Sequence, residues 1–317
     1  MYAGSLMATN KRARGGPTAA FAVVLTASLL VCARTPSAKS FPGENGLIAL
    51  VRESAPRALG IYTIDPSDSS LTRLTRAPDY RPRWSPDGSQ IVFQRFSEGL
   101  RSDIYVMSAN GSGEQRLTDL GFAFQPAWSP DGSQIVFGSG FGRSAEIFVM
   151  NADGSDQTRL THDGFPDSVP AWSPDSTTIA FASRRHDNWD LYLMSPDGSH
   201  QSRLTHVKGK DANPDWSPDG SRIVFQSNRR NRPGNWDLWA IRPDGSGIER
   251  LTSSRATEWA PAWSPDGTQI AFTIANYDRG VVDIAILTLD SPVITRFVIS
   301  DSTELEPNWQ AVRWQFG

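Results

Sequence analysis

The sequence predicts an all-β fold, a six-bladed β-propeller with four antiparallel strands per blade. Three observations carry that expectation. The pentad Trp84-Ser85-Pro86-Asp87-Gly88 returns with its tryptophan at Trp128, Trp172, Trp216 and Trp263, at spacings of 44, 44, 44 and 47 residues. A degenerate copy, Pro307-Asn308-Trp309, follows 46 residues later. A period of about 40–50 residues holding several short strands marks propeller blades. Glycine (26) and proline (22) punctuate the chain too often for an amphipathic helix. The two ends are also complementary. Residues 46–75 hold counterparts of strands two, three and four of a unit, whereas Pro307–Arg313 holds a counterpart of strand one only. The ends are expected to share one sheet and close the ring, which removes edges that invite aggregation.

Each element follows from local chemistry. In the first full unit, Arg81–Trp84 reads as the innermost strand. Ser85-Pro86-Asp87-Gly88 is a tight turn, because proline pre-sets φ and glycine accepts a positive φ. Ile91-Val92-Phe93 reads as the second strand. Asp103–Met107 reads as the third, with Ile104 and Val106 alternating against Tyr105. Ala109-Asn110-Gly111-Ser112-Gly113 is a hairpin turn, and Arg116-Leu117-Thr118 the outer strand. The repeated tryptophan falls between blades and is read as core, so all six copies are set aside from the functional site.

The run Pro-x-Trp-Ser-Pro-Asp-Gly, Ile-Val/Ala-Phe, Asp-Ile/Leu-Tyr, Arg-Leu-Thr resembles the repeats of TolB-type propellers. Similar repeats occur in the propeller domains of prolyl-oligopeptidase-like peptidases. The resemblance covers residues 46–313 and implies the propeller part alone, because only residues 41–45 separate the N-terminal segment from the first strand. It implies no peptidase activity, since no hydrolase domain accompanies the repeats. Two departures are local: Ser176 follows Asp175 where glycine is usual, and Gln310-Ala311 replaces Ser-Pro.

Residues 1–40 differ from the rest. Lys11, Arg12 and Arg14 precede an apolar run from Thr18 to Cys32, and no acid occurs before Glu44. This is the pattern of a secretory signal peptide. A spanning helix needs roughly 20 apolar residues, so no stable membrane span is expected after cleavage. Val31-Cys32-Ala33 and Ala38-Lys39-Ser40 are both cleavage contexts. Val31 argues against lipidation of Cys32, the single cysteine, so the mature part, residues 41–317, has no disulfide framework. Without residues 1–40 the chain has 26 basic against 34 acidic residues, a net charge of −8. Nucleic-acid binders neutralise phosphates with Lys and Arg, so that class is excluded. A periplasmic or secreted monomer is expected.

Antiparallel order puts the stereotyped turns on one face of the ring and the variable loops on the other, where binding residues gather. The second-to-third loops carry Arg95, Phe96, Arg101, Phe141, Arg143, Arg184, Arg185, His186, Trp189, Arg229, Arg230, Arg232, Trp236, Tyr277 and Arg279. Three residues before each unit's proline stand Asp79, Ala123, Asp167, Asp211, Glu258 and Glu304. The five acids are expected to ring the channel mouth, balanced either by loop arginines or by a basic partner segment. The expected partner-binding set is Asp79, Asp167, Asp211, Glu258, Glu304, Arg184, Arg185, Trp189, Arg229, Arg230 and Trp236, acting on a protein or peptide of the cell envelope. No cofactor is expected. Nucleophilic catalysis has no support, for Gly-x-Ser-x-Gly and a mature thiol are both missing. The alternative is a metal-dependent polysaccharide lyase or other glycan-active propeller using His162, His186 and the acids.

Overall fold

A computed structural model describes residues 44–53, 59–229, 235–276, 280–297 and 303–312. The expected signal segment, Cys32, Arg230, Arg232, Tyr277 and Arg279 lie outside the described residues. The described chain forms six four-stranded antiparallel sheets, each strand hydrogen-bonded to the next in order. The sheet of blade one joins Thr303–Val312, Glu44–Glu53, Gly60–Ile64 and Leu71–Arg73. Its innermost strand therefore comes from the C-terminal region, with Ile48 opposite Trp309 and Arg52 opposite Glu304. The ring closes as the complementary ends require.

The innermost strands of blades two to six are Asp79–Trp84, Ala123–Trp128, Asp167–Trp172, Asp211–Trp216 and Thr257–Trp263. They begin earlier than the sequence suggests, at or next to the acidic position. The extra residues are reached through a bulge. The register shifts at the same place in all five. The residue before each proline takes a positive φ: 55° at Arg81, 54° at Gln125, 53° at Val169, 52° at Asn213, 50° at Ala260 and 58° at Glu306. That conformation is costly away from glycine, most of all for β-branched Val169. Neighbouring blades stabilise it by accepting the bulge N–H. Glu306 Oε2 lies 2.8 Å from Arg81 N, Gln125 Oε1 2.9 Å from Val169 N, and Gln226 Oε1 3.0 Å from Ala260 N.

The core lies between blades. Trp216 packs with Ala171, Ala180 and Leu191 of blade four and with Phe225, Trp239 and Ile241 of its own blade. All six repeated tryptophans are buried, and so are Phe93, Phe137, Phe181, Phe225 and Phe272 of the second strands. The turns close as their sequence dictates. Ser85 Oγ donates to Asp87 Oδ1 at 2.6 Å and accepts from Gln90 N at 2.9 Å, while Gly88 takes φ 71°. Ser176 holds the glycine position of its turn at φ 60°.

Candidate functional site

The Arg-Leu-Thr triplet does more than end a blade. The outer strand of blade two is only Gln115–Arg116, because Leu117 and Thr118 turn in toward the third strand. Thr118 Oγ1 accepts from Ile104 N at 3.0 Å and donates to Asp103 Oδ1 at 2.9 Å. Arg116 Nη2 closes on the same carboxylate at 2.7 Å. Arg203 with Asp190 and Arg250 with Asp237 repeat the pair at 2.8 Å. Blades two to six thus each bury an acid at or near the start of the third strand, where blade one has Gly60.

A further acid belongs to the innermost strand of every blade but the third, which has Ala123 there. Here the expected open ring is corrected: Asp79, Asp167, Asp211, Glu258 and Glu304 all have 0% exposure. They sit within paired strands, opposite Arg95, Ser183, Ser227, Ile274 and Arg52 respectively, so their carboxylates point into the blade stack. Buried charge is tolerated only when paired. Arg95 grips Asp79 at 2.6 and 2.8 Å. Arg185 reaches Asp167 at 3.2 Å and Asp163 at 2.5 Å. Arg229 reaches Asp211 at 2.8 Å, and Arg52 reaches Glu304 at 3.4 Å. Three of these guanidiniums also lie over aromatic pairs: Arg95 over Phe93 and Tyr105, Arg185 over Phe181 and Tyr192, Arg229 over Phe225 and Trp239, at 4.8 to 5.3 Å. Arg185 and Arg229 are therefore parts of the scaffold's charge stack. Trp189 and Trp236 are half-buried and lend carbonyls to Asp211 N and Glu258 N at 2.8 Å. Of the described residues in the expected set, Arg184 alone is exposed.

Burial outweighs pairing for several of these acids. It pushes Asp167 up to about 6, against the pull of Ser183 and Arg185. Asp190 and Asp211 are raised for the same reason. Glu258 differs in having no arginine on its carboxylate among the described residues. Ser254 Oγ donates to Oε1 at 2.6 Å, and burial, with Asp237 nearby, holds its pKa up. An acid whose folded pKa is raised favours the fold below its ordinary range and loses that contribution as pH rises through the folded value. Glu258→Gln keeps the acceptor without the charge. It is expected to raise stability by about 1–3 kcal/mol at pH 8 and to leave it nearly unchanged at pH 4, in urea melts at both values. Equal melts of wild type and variant at pH 8 would contradict this.

Glu146, Asp163 and Asp167 bring ligand atoms within 4.8 Å of one another. Arg159 and Arg185 already engage all three.

The variable face presents several apolar side chains to solvent. Leu100, Leu120, Phe122, Phe141 and Phe165 are exposed by 72, 42, 37, 69 and 44%. All stand in loops of blades two and three or on the way into blade four. Phe122 and Phe141 touch, with ring centroids 5.5 Å apart. Exposed Arg101, Arg143 and Arg184 share this face. The residues that matter here were partly missed by sequence reasoning, because Leu120, Phe122 and Phe165 belong to the inter-blade loops, where the acids drew attention.

A sequence profile described as the TolB beta propeller domain matches residues 70–169 and 165–258. The chain belongs to the TolB propeller family. The structure of TolB from Acinetobacter baumannii is similar at TM-score 0.74 and 22% identity, over 84% of this chain and 66% of that one. The chain thus spans just under two thirds of that protein. A TolB structure from Agrobacterium tumefaciens aligns at TM-score 0.64 and 26% identity, over 84% of this chain and 91% of that one. An oligogalacturonate lyase in complex with manganese aligns at TM-score 0.55 and 13% identity, over 82% and 87%, which shows a shared fold.

The channel of this TolB-type propeller has a mixed lining of prolines, tryptophans and polar side chains. It holds a cavity of about 150 Å3 lined by, among others, Arg81, Arg83, Gln125, Asn213 and Asp215. Arg81 Nε pairs with Glu306 at 2.7 Å, and Arg81 Nη1 donates to Asn213 Oδ1 at 3.3 Å. One side chain of blade two thereby meets blades one and five. Among the described residues no helix is long and apolar enough to cross a membrane.

Proposed function

We propose that this chain is an exported, non-catalytic binding propeller of the cell envelope, periplasmic or secreted, that engages a protein or peptide partner through its variable-loop face. One observation carries the reading: the five exposed apolar side chains between Leu100 and Phe165 gather on that face. Contiguous exposed apolar surface on a well-packed fold marks an interaction site, and aromatics with arginine are enriched at binding hot spots. Export is supported by the basic-then-apolar pattern of residues 11–32. The fold supports a rigid platform, since the loops stand on blades locked by buried charge. The partner's contact falls on the loop tips, and the buried acids act beneath it by holding Arg95, Arg185 and Arg229 in place.

The test is affinity capture from envelope extract with immobilised mature chain. The Phe122→Ala/Phe141→Asp double variant is expected to lose at least ten-fold of the captured partner. His200→Ala, on the stereotyped-turn face, is expected to retain it. Equal capture by both variants would remove the assignment of this face.

A further inference from the structure

Arg83 is a partly buried cation with no counter-ion in contact among the described residues. It occupies the innermost strand of blade two, at the position held by Ala127, Ala171 and Ala262 in three other blades. Its one side-chain hydrogen bond among the described residues runs from Nη1 to the carbonyl of Pro82, at 3.3 Å. Arg81, Arg95, Arg185 and Arg229 each touch a carboxylate; Arg83 touches none among the described residues. Burial lowers its pKa, opposed by the distant charge of Asp215 and assisted by Arg81. Asp215 stands at the same strand position three blades round the ring. It is committed elsewhere: its Oδ2 accepts from Trp263 N at 2.7 Å, and burial pushes its pKa up to about 6.

The space in front of Arg83 fits a ligand. A single water needs roughly 10–15 Å3 on the measure used for cavities, and this one offers about 150 Å3. A second donor lines the same cavity. Gln125 Oε1 accepts from Val169 N at 2.9 Å, which leaves its Nε2 group without a partner among the described residues. A guanidinium and an amide donor lining one cavity are suited to oxygen anions, because the planar N–H fork matches carboxylate and phosphate geometry. Arg81 is unavailable, being held by Glu306 and Asn213.

We propose that the channel cavity binds a small oxyanion, of phosphate or carboxylate type, with Arg83 as its cationic ligand and Gln125 Nε2 as a neutral donor. This site is separate from the loop tips and stands or falls independently of the partner-binding role. The probes are inorganic phosphate and acetate, titrated calorimetrically into the full chain against chloride at constant ionic strength. Saturable binding of one anion per chain is expected for at least one probe, and which of the two binds more tightly separates a phosphate group from a carboxylate as the natural ligand. Arg83→Gln is expected to raise Kd at least ten-fold while its near-ultraviolet circular dichroism matches wild type. Asp215→Asn, which removes the facing negative charge, is expected to lower Kd several-fold. Absence of saturable binding for both probes, equal affinity in a folded Arg83→Gln variant, or weaker binding by Asp215→Asn would each overturn the proposal.

Discussion

Arg229→Ala is expected to destabilise the propeller by about 3–5 kcal/mol, since it strands a fully buried carboxylate. Asp211 has 0% exposure and holds Arg229 Nη2 at 2.8 Å and Ser227 Oγ at 2.6 Å. Burial already raises its pKa with the arginine present. Without it the folded value rises further. The deficit should then be greatest above that value and shrink as pH falls and the carboxyl takes a proton. Denaturant melts at pH 8 and pH 5 measure both parts. Adding Asp211→Asn to Arg229→Ala should recover much of the loss at pH 8, because no charge is then left behind. A loss below about 1 kcal/mol at pH 8 would rank this pair with solvent-exposed ones and contradict the burial argument.

Trp216→Ala should cost a similar amount, about 3–5 kcal/mol. The indole fills the space between blades four and five and donates from Nε1 to the carbonyl of Ala171 at 3.3 Å. Its removal opens a hole that two packed sheets cannot both collapse into. Total stability of a domain is typically about 5–15 kcal/mol, so the midpoint of urea unfolding should fall visibly. A midpoint near wild type would mean that the two blades close the gap.

The blade count, the tight turns and the shared first sheet were all legible in the sequence. Each rests on strongly local chemistry: a proline-glycine turn, a large indole, alternating apolar residues. The charge stack was not legible. Arg95 follows its acid by 16 residues, while Arg185 and Arg229 follow theirs by 18, yet all three guanidiniums reach the same place over an aromatic pair. No fixed spacing marks that role. The bulge was hidden too, because residues as different as Arg81, Val169 and Glu306 take the left-handed conformation, and no glycine announces it. A proline two places from a tryptophan looked like the start of a strand and proved to lie in its middle. Position 83 carried a usable signal: the repeat favours alanine before the tryptophan, and Arg83 and Asp215 break that habit with opposite charge.

The shared sheet of blade one has a temporal consequence. Glu44–Glu53 is synthesised before all five other sheets, and its partner Thr303–Val312 after them. A growing chain can assemble the intermediate sheets one after another. The first must hold three strands with its inner edge open until Thr303–Val312 has been made. Throughout that interval the Glu44–Glu53 backbone is an unsatisfied template, so protection of that edge falls to whatever escorts the chain before the closing strand arrives.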